Sequence, residues 1–445
     1  MKNITVLGAG LVGSLLAVML GRRGHTVQLI EKRPDLRKVK WEDGRTINLA
    51  LSERGWRALE RVGLVEEVKQ LAIPMYGRMM HNEKGDLTFQ PYGKEGQSIY
   101  SVSRSQLNEK LMNLAEEEGK VQLFFEQKCT QVDLEKPAVH LTHVVSGEES
   151  ILQPDILIGA DGAFSAVRSA MQRTNLFNYQ QYFIEHGYKE LTIPPKRDGS
   201  WAIDKHALHI WPRGNFMLIA LPNPDGSFTC TLFFPFKGEV SFDKIRTQAD
   251  VIHYFETYFP DILPLMPNVA EEYLQNPTSS LVTIRCYPWT YKNKAAIIGD
   301  AAHAIVPFYG QGMNAGFEDC IILDQLMEKY SQNWEQIFEE YQGQRVDNAE
   351  AIADLALQNF VEMRDYVADP KFLLRKKIEA HIHQLYPDLW TPLYTMIAFS
   401  HIPYAEALRL GKKQDAIMQQ IMATPSIEEK WPQLDYKTIL QEHQQ

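Results

Sequence analysis

The sequence predicts an α/β protein: a Rossmann-like dinucleotide-binding domain, an inserted antiparallel-sheet substrate domain and a C-terminal helical region. Three observations predict it. A glycine-rich turn, Gly8-Ala9-Gly10-Leu11-Val12-Gly13, joins an apolar run at 4–7 to helical apolar spacing over 11–22. Between 182 and 235, runs such as Ala207-Leu208-His209-Ile210-Trp211 alternate with the turn signals Pro212-Arg213-Gly214 and Pro222-Asn223-Pro224-Asp225-Gly226. Beyond a last buried-strand candidate at 295–298, the pattern is mostly helical up to 420.

Taken in order, residues 4–7, 11–22 and 26–30 read as β-α-β. Helical spacing returns over 104–118 (Leu107, Leu111, Leu114), followed by strand candidates at 121–125 and 156–158 that extend a parallel sheet. The expected division is 1–180 for the first part of the dinucleotide domain, with smaller sheet insertions near 70–104, then 181–285 for the antiparallel substrate domain. Residues 286–330 return to the first domain, and 331–445 form the helical region that contributes to the substrate site. No internal repeat or low-complexity linker interrupts this plan.

Composition narrows the function. With 445 residues, 44% of them hydrophobic and 23% charged, the chain can bury a large core. A net charge of −10 without a concentrated Lys/Arg run argues against nucleic acid and for a small-molecule ligand. Cys129, Cys230, Cys286 and Cys320 are widely spaced with no CxxC pair, so no metal site is expected and a reducing cytoplasm fits best. The N-terminus lacks signal-peptide character, and no uninterrupted apolar run of roughly 18 residues occurs, so no membrane anchor is expected.

The glycine turn has a physical reading. Gly8, Gly10 and Gly13 allow a tight turn and let a pyrophosphate approach backbone N–H groups at the helix N-terminus around Leu11 and Val12. Glu31, ending the next strand, is placed to accept from ribose hydroxyls. The bland alternative is glycine that only permits close helix–strand packing. Two downstream segments separate FAD from NAD. Residues 154–168, PDILIGADGAFSAVR, deliver Asp161-Gly162 from an apolar strand; a simple strand-turn-helix corner is the competing reading. Residues 295–314, AAIIGDAAHAIVPFYGQGMN, deliver Asp300 and then a glycine-rich helix start. These segments resemble the second and third signatures of the flavoprotein hydroxylases, which makes the first domain FAD-binding. The resemblance implies that Asp161-Gly162 help to hold the riboflavin part and that Asp300 accepts a ribityl hydroxyl. Backbone N–H groups of Gly312, Met313 and Asn314 would stabilise charge at the N1–C2=O edge of the reduced ring. His303 is expected to be structural rather than catalytic. No second GxGxxG is present for a resident nicotinamide cofactor.

Longer runs resemble the kynurenine 3-monooxygenase family of class A flavoprotein aromatic hydroxylases: GRTINLALSERG from Gly44, PMYGRMMH from Pro74, HGYKELTIPP from His186, LHIWPRGNFMLIALPN from Leu208, PFYGQGMNAGFEDC from Pro307 and PLYTMIAFS from Pro392. The resemblance covers roughly residues 3–410 and implies L-kynurenine as substrate. Arg78 and Tyr92 match its carboxylate clamp, which suits a guanidinium and a phenol in a water-poor pocket. Asn359 and Tyr394 would complete the polar set; without the resemblance they read as structural. Met217, Ile219 and Leu221 share one strand face and, with Leu208, Phe233, Phe308 and Tyr309, are expected to wall the aromatic ring; most such faces are merely core. Tyr309 stands where family members vary. Lys32, Arg33, Leu49, Ala50, Arg104 and Cys129 are expected at the flavin, Arg104 offsetting pyrophosphate charge.

The family chemistry is hydride transfer from NADPH, with NADH an alternative, to FAD, then O2 addition and OH⁺ delivery from a flavin C4a-hydroperoxide. The product is 3-hydroxykynurenine. No protein acid-base residue is required, because the aniline nitrogen already activates the ortho position. Two other readings stay open: a related flavin hydroxylase of another aromatic acid, sharing the flavin motifs but not the clamp, and a non-hydroxylating FAD-dependent reductase. The sequence leaves a homodimer open.

Overall fold

A computed structural model of the chain describes residues 1–38, 47–366 and 369–442. Gly44, Arg45 and Thr46, which begin one of the runs quoted above, lie outside the described residues.

A six-stranded sheet carries the dinucleotide domain. Its order is Thr290–Tyr291, Ala295–Ile297, Ile156–Gly159, Asn3–Leu7, Thr26–Ile30, Val121–Phe124, the last five parallel. The three central strands, Ala295–Ile297, Ile156–Gly159 and Asn3–Leu7, are buried on both faces, as crossover helices require, so they read as continuous apolar runs rather than alternating ones. Consequently the carboxyl ends of Asn3–Leu7, Ile156–Gly159 and Ala295–Ile297 lie side by side. Those ends carry the three motifs.

The helix Leu11–Arg22 packs so closely on the first strand that a Cβ on Gly13 would lie 1.9 Å from the Gly8 carbonyl oxygen. Gly8 itself has φ +99°, and its Cβ would lie 2.4 Å from the Ala160 oxygen. Only glycine satisfies both approaches.

A seven-stranded sheet follows the order Ser279–Tyr287, Asn178–Ile193, Phe228–Pro235, Met217–Pro222, Ala207–Pro212, Gly77–His81, Leu87–Pro91. All its pairings are antiparallel except that of Gly77–His81 with Ala207–Pro212, because the Gly77 strand enters from the other domain. Segment 70–104 is therefore split: Gly77–His81 and Leu87–Pro91 join this sheet, while Ile99–Ser103 is the central strand of a three-stranded one, flanked by Asn48–Leu51 and Ile73–Met75. The strands Asn178–Ile193 and Ser279–Tyr287 also run across the positions 181 and 285 at which a boundary was expected.

Period-2 alternation divides the large sheet into two faces. Leu218, Ala220, Leu232 and Phe234 pack on the helices Gln248–Tyr258 and Val269–Gln275. Met217 and Phe233 face the long helix Trp334–Val361, with Ile352, Leu355 and Phe360. That helix continues into a π-helical turn, Glu362–Tyr366, a distortion often found beside functional sites. Buried ion pairs tie the parts together: Arg54 bonds Glu318 and the Ile402 carbonyl, and Arg345 bonds Glu318 (2.5 Å) and Asp319 (2.6 Å). Among the described residues, no helix is long and apolar enough to cross a membrane.

Candidate functional site

The glycine turn opens onto a groove of about 300 Å³ between the two sheets, lined on one side by Gly10, Leu11, Arg33, Arg104 and Asn108 and on the other by Tyr188, Glu190 and Ser279. No side chain caps the first turn of the helix Leu11–Arg22, and a Cβ on Gly10 would meet nothing within 4 Å. The N–H groups of that turn are thus open to an anion. Glu31 sits behind the turn, its Oε2 accepting from the Ala9 N–H (3.0 Å) and its Oε1 from Arg33 Nε (2.8 Å). Burial works against the Glu31 anion, but Arg33 and the backbone amides hold its pKa below the usual range. A ribose hydroxyl would share oxygens that already fix the loop. Lys32 is exposed and is not part of the groove lining, unlike Arg33 and Arg104.

The second and third motifs meet through Arg168, whose guanidinium donates to the Ala163 and Ala301 carbonyls (2.5 and 2.7 Å). Asp161 Oδ2 accepts from the Ala166 N–H (2.6 Å), while its Oδ1 is buried without a partner. Burial raises the Asp161 pKa. Cys129 lies near enough to feel that carboxylate; burial and Asp161 push its thiol up to about 12, so it stays protonated. Asp300 is exposed at the start of the short helix Asp300–His303. His303 is buried, hydrogen-bonded to Asp319 (2.5 Å) and stacked on Trp289 at 5.0 Å, which gives it a structural role. At the helix Gly312–Tyr330, Asn314 accepts from the Ser52 N–H (3.0 Å) and donates to the Ala50 carbonyl (2.8 Å). One side chain therefore brings Ala50 and its neighbour Leu49 to the Gly312-Met313-Asn314 turn.

The predicted substrate residues gather on the other side of that turn. Arg78 lies 5.8 Å from the Tyr92 ring and 5.2 Å from the Tyr394 ring, and those two rings stack at 5.0 Å. Tyr309 stacks on Tyr394 in turn, at 5.6 Å. Burial opposes the charge on Arg78, but Tyr92, Tyr394 and Glu362 more than offset it and its pKa is raised. Arg78 Nε and Tyr92 Oη are both buried without a hydrogen-bond partner: the neighbouring groups influence Tyr92 but do not meet its hydroxyl in bonding geometry. Beside them Met217, Phe233, Phe308 and Tyr309 form one apolar cluster, with Leu208, Ile219 and Tyr394 packed against it and Leu221 in the cluster next to Tyr92. Asn359 is buried, and both of its hydrogen bonds are donated by the amide nitrogen, to the Phe308 carbonyl (2.6 Å) and Met363 Sδ (3.2 Å). It holds the wall as well as facing it.

Several contributors had no local signal. Glu362 approaches Arg78 to 4.0 Å from the π-helical turn, and Phe360 stacks on Phe308 at 4.3 Å. Beneath the Gly77 strand, on the face away from Arg78, His81 Nε2 meets His209 Nδ1 at 2.8 Å, and His209 Nε2 meets the Asp204 carbonyl at 2.7 Å. The carbonyl can only accept, so His209 donates from Nε2 and leaves Nδ1 to accept from His81.

Comparison with known proteins agrees with this geometry. A family model described as FAD binding domain matches residues 1–198 and 283–356. A protein named kynurenine 3-monooxygenase from Christiangramia forsetii is 51% identical over 430 residues, 97% of this chain and 96% of that one. The chain belongs to the kynurenine 3-monooxygenase family. A kynurenine 3-monooxygenase from Dictyostelium discoideum is 43% identical over 434 residues, 95% of this chain and 93% of that one. The fold is also that of 2-methyl-3-hydroxypyridine-5-carboxylic acid oxygenase, with TM-score 0.68 at 21% identity over 86% of this chain and 98% of that one.

In this kynurenine 3-monooxygenase family member, the residues present fit FAD. The helix turn at Gly10 is open and uncapped, and cations line the groove. Asp161 Oδ1 and Asn108 Oδ1 are buried acceptors without partners, which suits a ligand rich in hydroxyl and N–H groups.

Proposed function

We propose that the chain is an FAD-dependent monooxygenase that hydroxylates L-kynurenine to 3-hydroxykynurenine, consuming NADPH, a proton and O2 and releasing NADP⁺ and water. One observation carries the substrate assignment: a buried guanidinium and a buried phenol, both with unsatisfied donors, stand beside the apolar cluster that contains Met217, Phe233, Phe308 and Tyr309. A buried donor left unpaired costs about 1–3 kcal/mol, so the pair is suited to a ligand that brings an anion.

The flavin, when bound, supplies the redox chemistry and oxygen activation. The protein's share is placement. Arg78 and Tyr92 hold the substrate carboxylate, fixing the distance of the ring from that anchor. Phe233, Phe308, Tyr309 and the Met217–Ile219–Leu221 face supply apolar walls that exclude water. Asn314 fixes the first turn of the helix Gly312–Tyr330 against Ala50, so its N–H groups are held where negative charge on the cofactor would need them. No protein acid or base is assigned, since the aniline nitrogen of the substrate activates its own ortho position.

NADPH is proposed over NADH as reductant, the cytoplasm as compartment and a homodimer as assembly. The test is the purified protein in air: L-kynurenine should accelerate NADPH oxidation and oxygen uptake, with 3-hydroxykynurenine as product. Oxidation that ignores kynurenine, or a different aromatic acid as the better stimulant, would overturn the reading.

A further inference from the structure

The clamp strand and its edge neighbour hold a third unsatisfied donor. Gln90 lies on Leu87–Pro91, the outermost strand of the seven-stranded sheet, and is the direct cross-strand partner of Arg78. Directly opposed residues of an antiparallel pair project to the same face with Cβ atoms about 5 Å apart. Tyr92 follows two positions later, continuing the strand through its N–H to the Tyr76 carbonyl (3.0 Å), and so projects to that face too. The preceding register position, Phe89, is on the other side, lying against Gly77, whose Cβ would be 2.6 Å from the Phe89 ring. Gln90 Nε2 is buried and has no partner, as are Arg78 Nε and Tyr92 Oη.

We propose that Gln90 is a third arm of the carboxylate clamp, its amide N–H donating to the same substrate carboxylate as Arg78 and Tyr92. This rests on the reading of the site as one for L-kynurenine. A carboxylate offers about four lone-pair directions. Three donors from two adjacent strands fill most of them, which makes the pocket selective for an amino acid over the corresponding amine. Gln90 is a specificity-determining residue and takes no part in the oxygen chemistry.

The test compares Gln90→Met, which keeps length and removes the donor, with Gln90→Glu, which replaces the donor by a like charge. Each variant is loaded with FAD and titrated with L-kynurenine and with the amine that lacks only the carboxylate. Gln90→Met should raise the Kd for L-kynurenine about 10-fold, the size of one hydrogen bond to a charged group, and leave the Kd for the amine unchanged. Gln90→Glu should weaken L-kynurenine further and the amine not at all. Unchanged L-kynurenine affinity in both variants, or an equal loss for the amine, overturns the assignment. Arg78→Ala runs in parallel: a loss there with none at Gln90 removes only the third arm, whereas no loss at either position removes the substrate reading itself.

Discussion

The two ends of the site leave different polar atoms unsatisfied. At the flavin motifs the buried polar atoms without partners include the acceptors Asp161 Oδ1 and Asn108 Oδ1 and the donor Arg168 Nε; on the clamp they are Arg78 Nε, Gln90 Nε2 and Tyr92 Oη, each able to donate. Around the first set, the protein's own bonds are dense: Glu31 is fixed by Ala9 and Arg33, and Asn314 by Ser52, Ala50 and Gly310. Beside the second set stand the Tyr394 ring and, at 4.0 Å from Arg78, the carboxylate of Glu362. The groove is preorganised for a resident ligand rich in hydroxyls, and the clamp keeps its unpaired donors for an anion that comes and goes.

The contrast breaks most easily at Arg78. Arg78→Ala is expected to weaken L-kynurenine binding by about 3 kcal/mol, on the order of 100-fold in Kd, with flavin content unchanged. Titration of the flavin-loaded variant, alongside its visible absorbance, checks both halves. Joint loss of substrate and flavin would mean that the two ends are not separable.

A second expectation concerns the support beneath the clamp strand. Burial lowers the His209 pKa to about 4. The unfolded chain, with its histidine near 6.5, binds the proton first, so stability should fall as pH drops from about 6.5 to 4, by roughly 3 kcal/mol in total. Urea midpoints across that range should flatten in His209→Gln. An equal slope in the variant would assign the loss elsewhere.

At the groove, Gly10→Ala sharpens the comparison. A methyl there meets nothing in the protein, and the backbone is ordinary at φ −76°. Folding of the apoprotein should therefore be unaffected while FAD affinity drops about 10-fold, as a phosphate loses its close approach. Equal affinity would place the phosphates elsewhere. The smallest effect is expected at Glu190, across the groove from Gly10 and brought up to about 7 by burial, with Arg104 opposing. Its ionisation weakens the fold as pH rises through that value, an effect discounted by partial solvent exposure. Glu190→Gln should bind FAD a few-fold more tightly at pH 8 and equally at pH 6, measured by quenching of flavin fluorescence.

The same contrast explains what could be read in advance. The flavin motifs are contiguous because a strand end, a turn and a helix start are local structures, and glycine spacing reports them directly. Met217, Ile219 and Leu221 were legible from the period of a strand. Arg78, Tyr92, Asn359 and Tyr394 needed the family resemblance, since nothing in their local sequence marks them. Gln90, Glu362 and Phe360 carried no signal at all: their roles depend on cross-strand register, a π-helical turn and ring stacking across more than fifty residues of chain.

The most direct measurement is the visible spectrum of the flavin-loaded protein during titration with L-kynurenine. If donors and aromatic walls seat the substrate against the cofactor, the flavin bands shift saturably, and Arg78→Ala moves the midpoint to higher concentration without changing the end spectrum. Saturable kynurenine binding that leaves the flavin bands untouched would contradict the account.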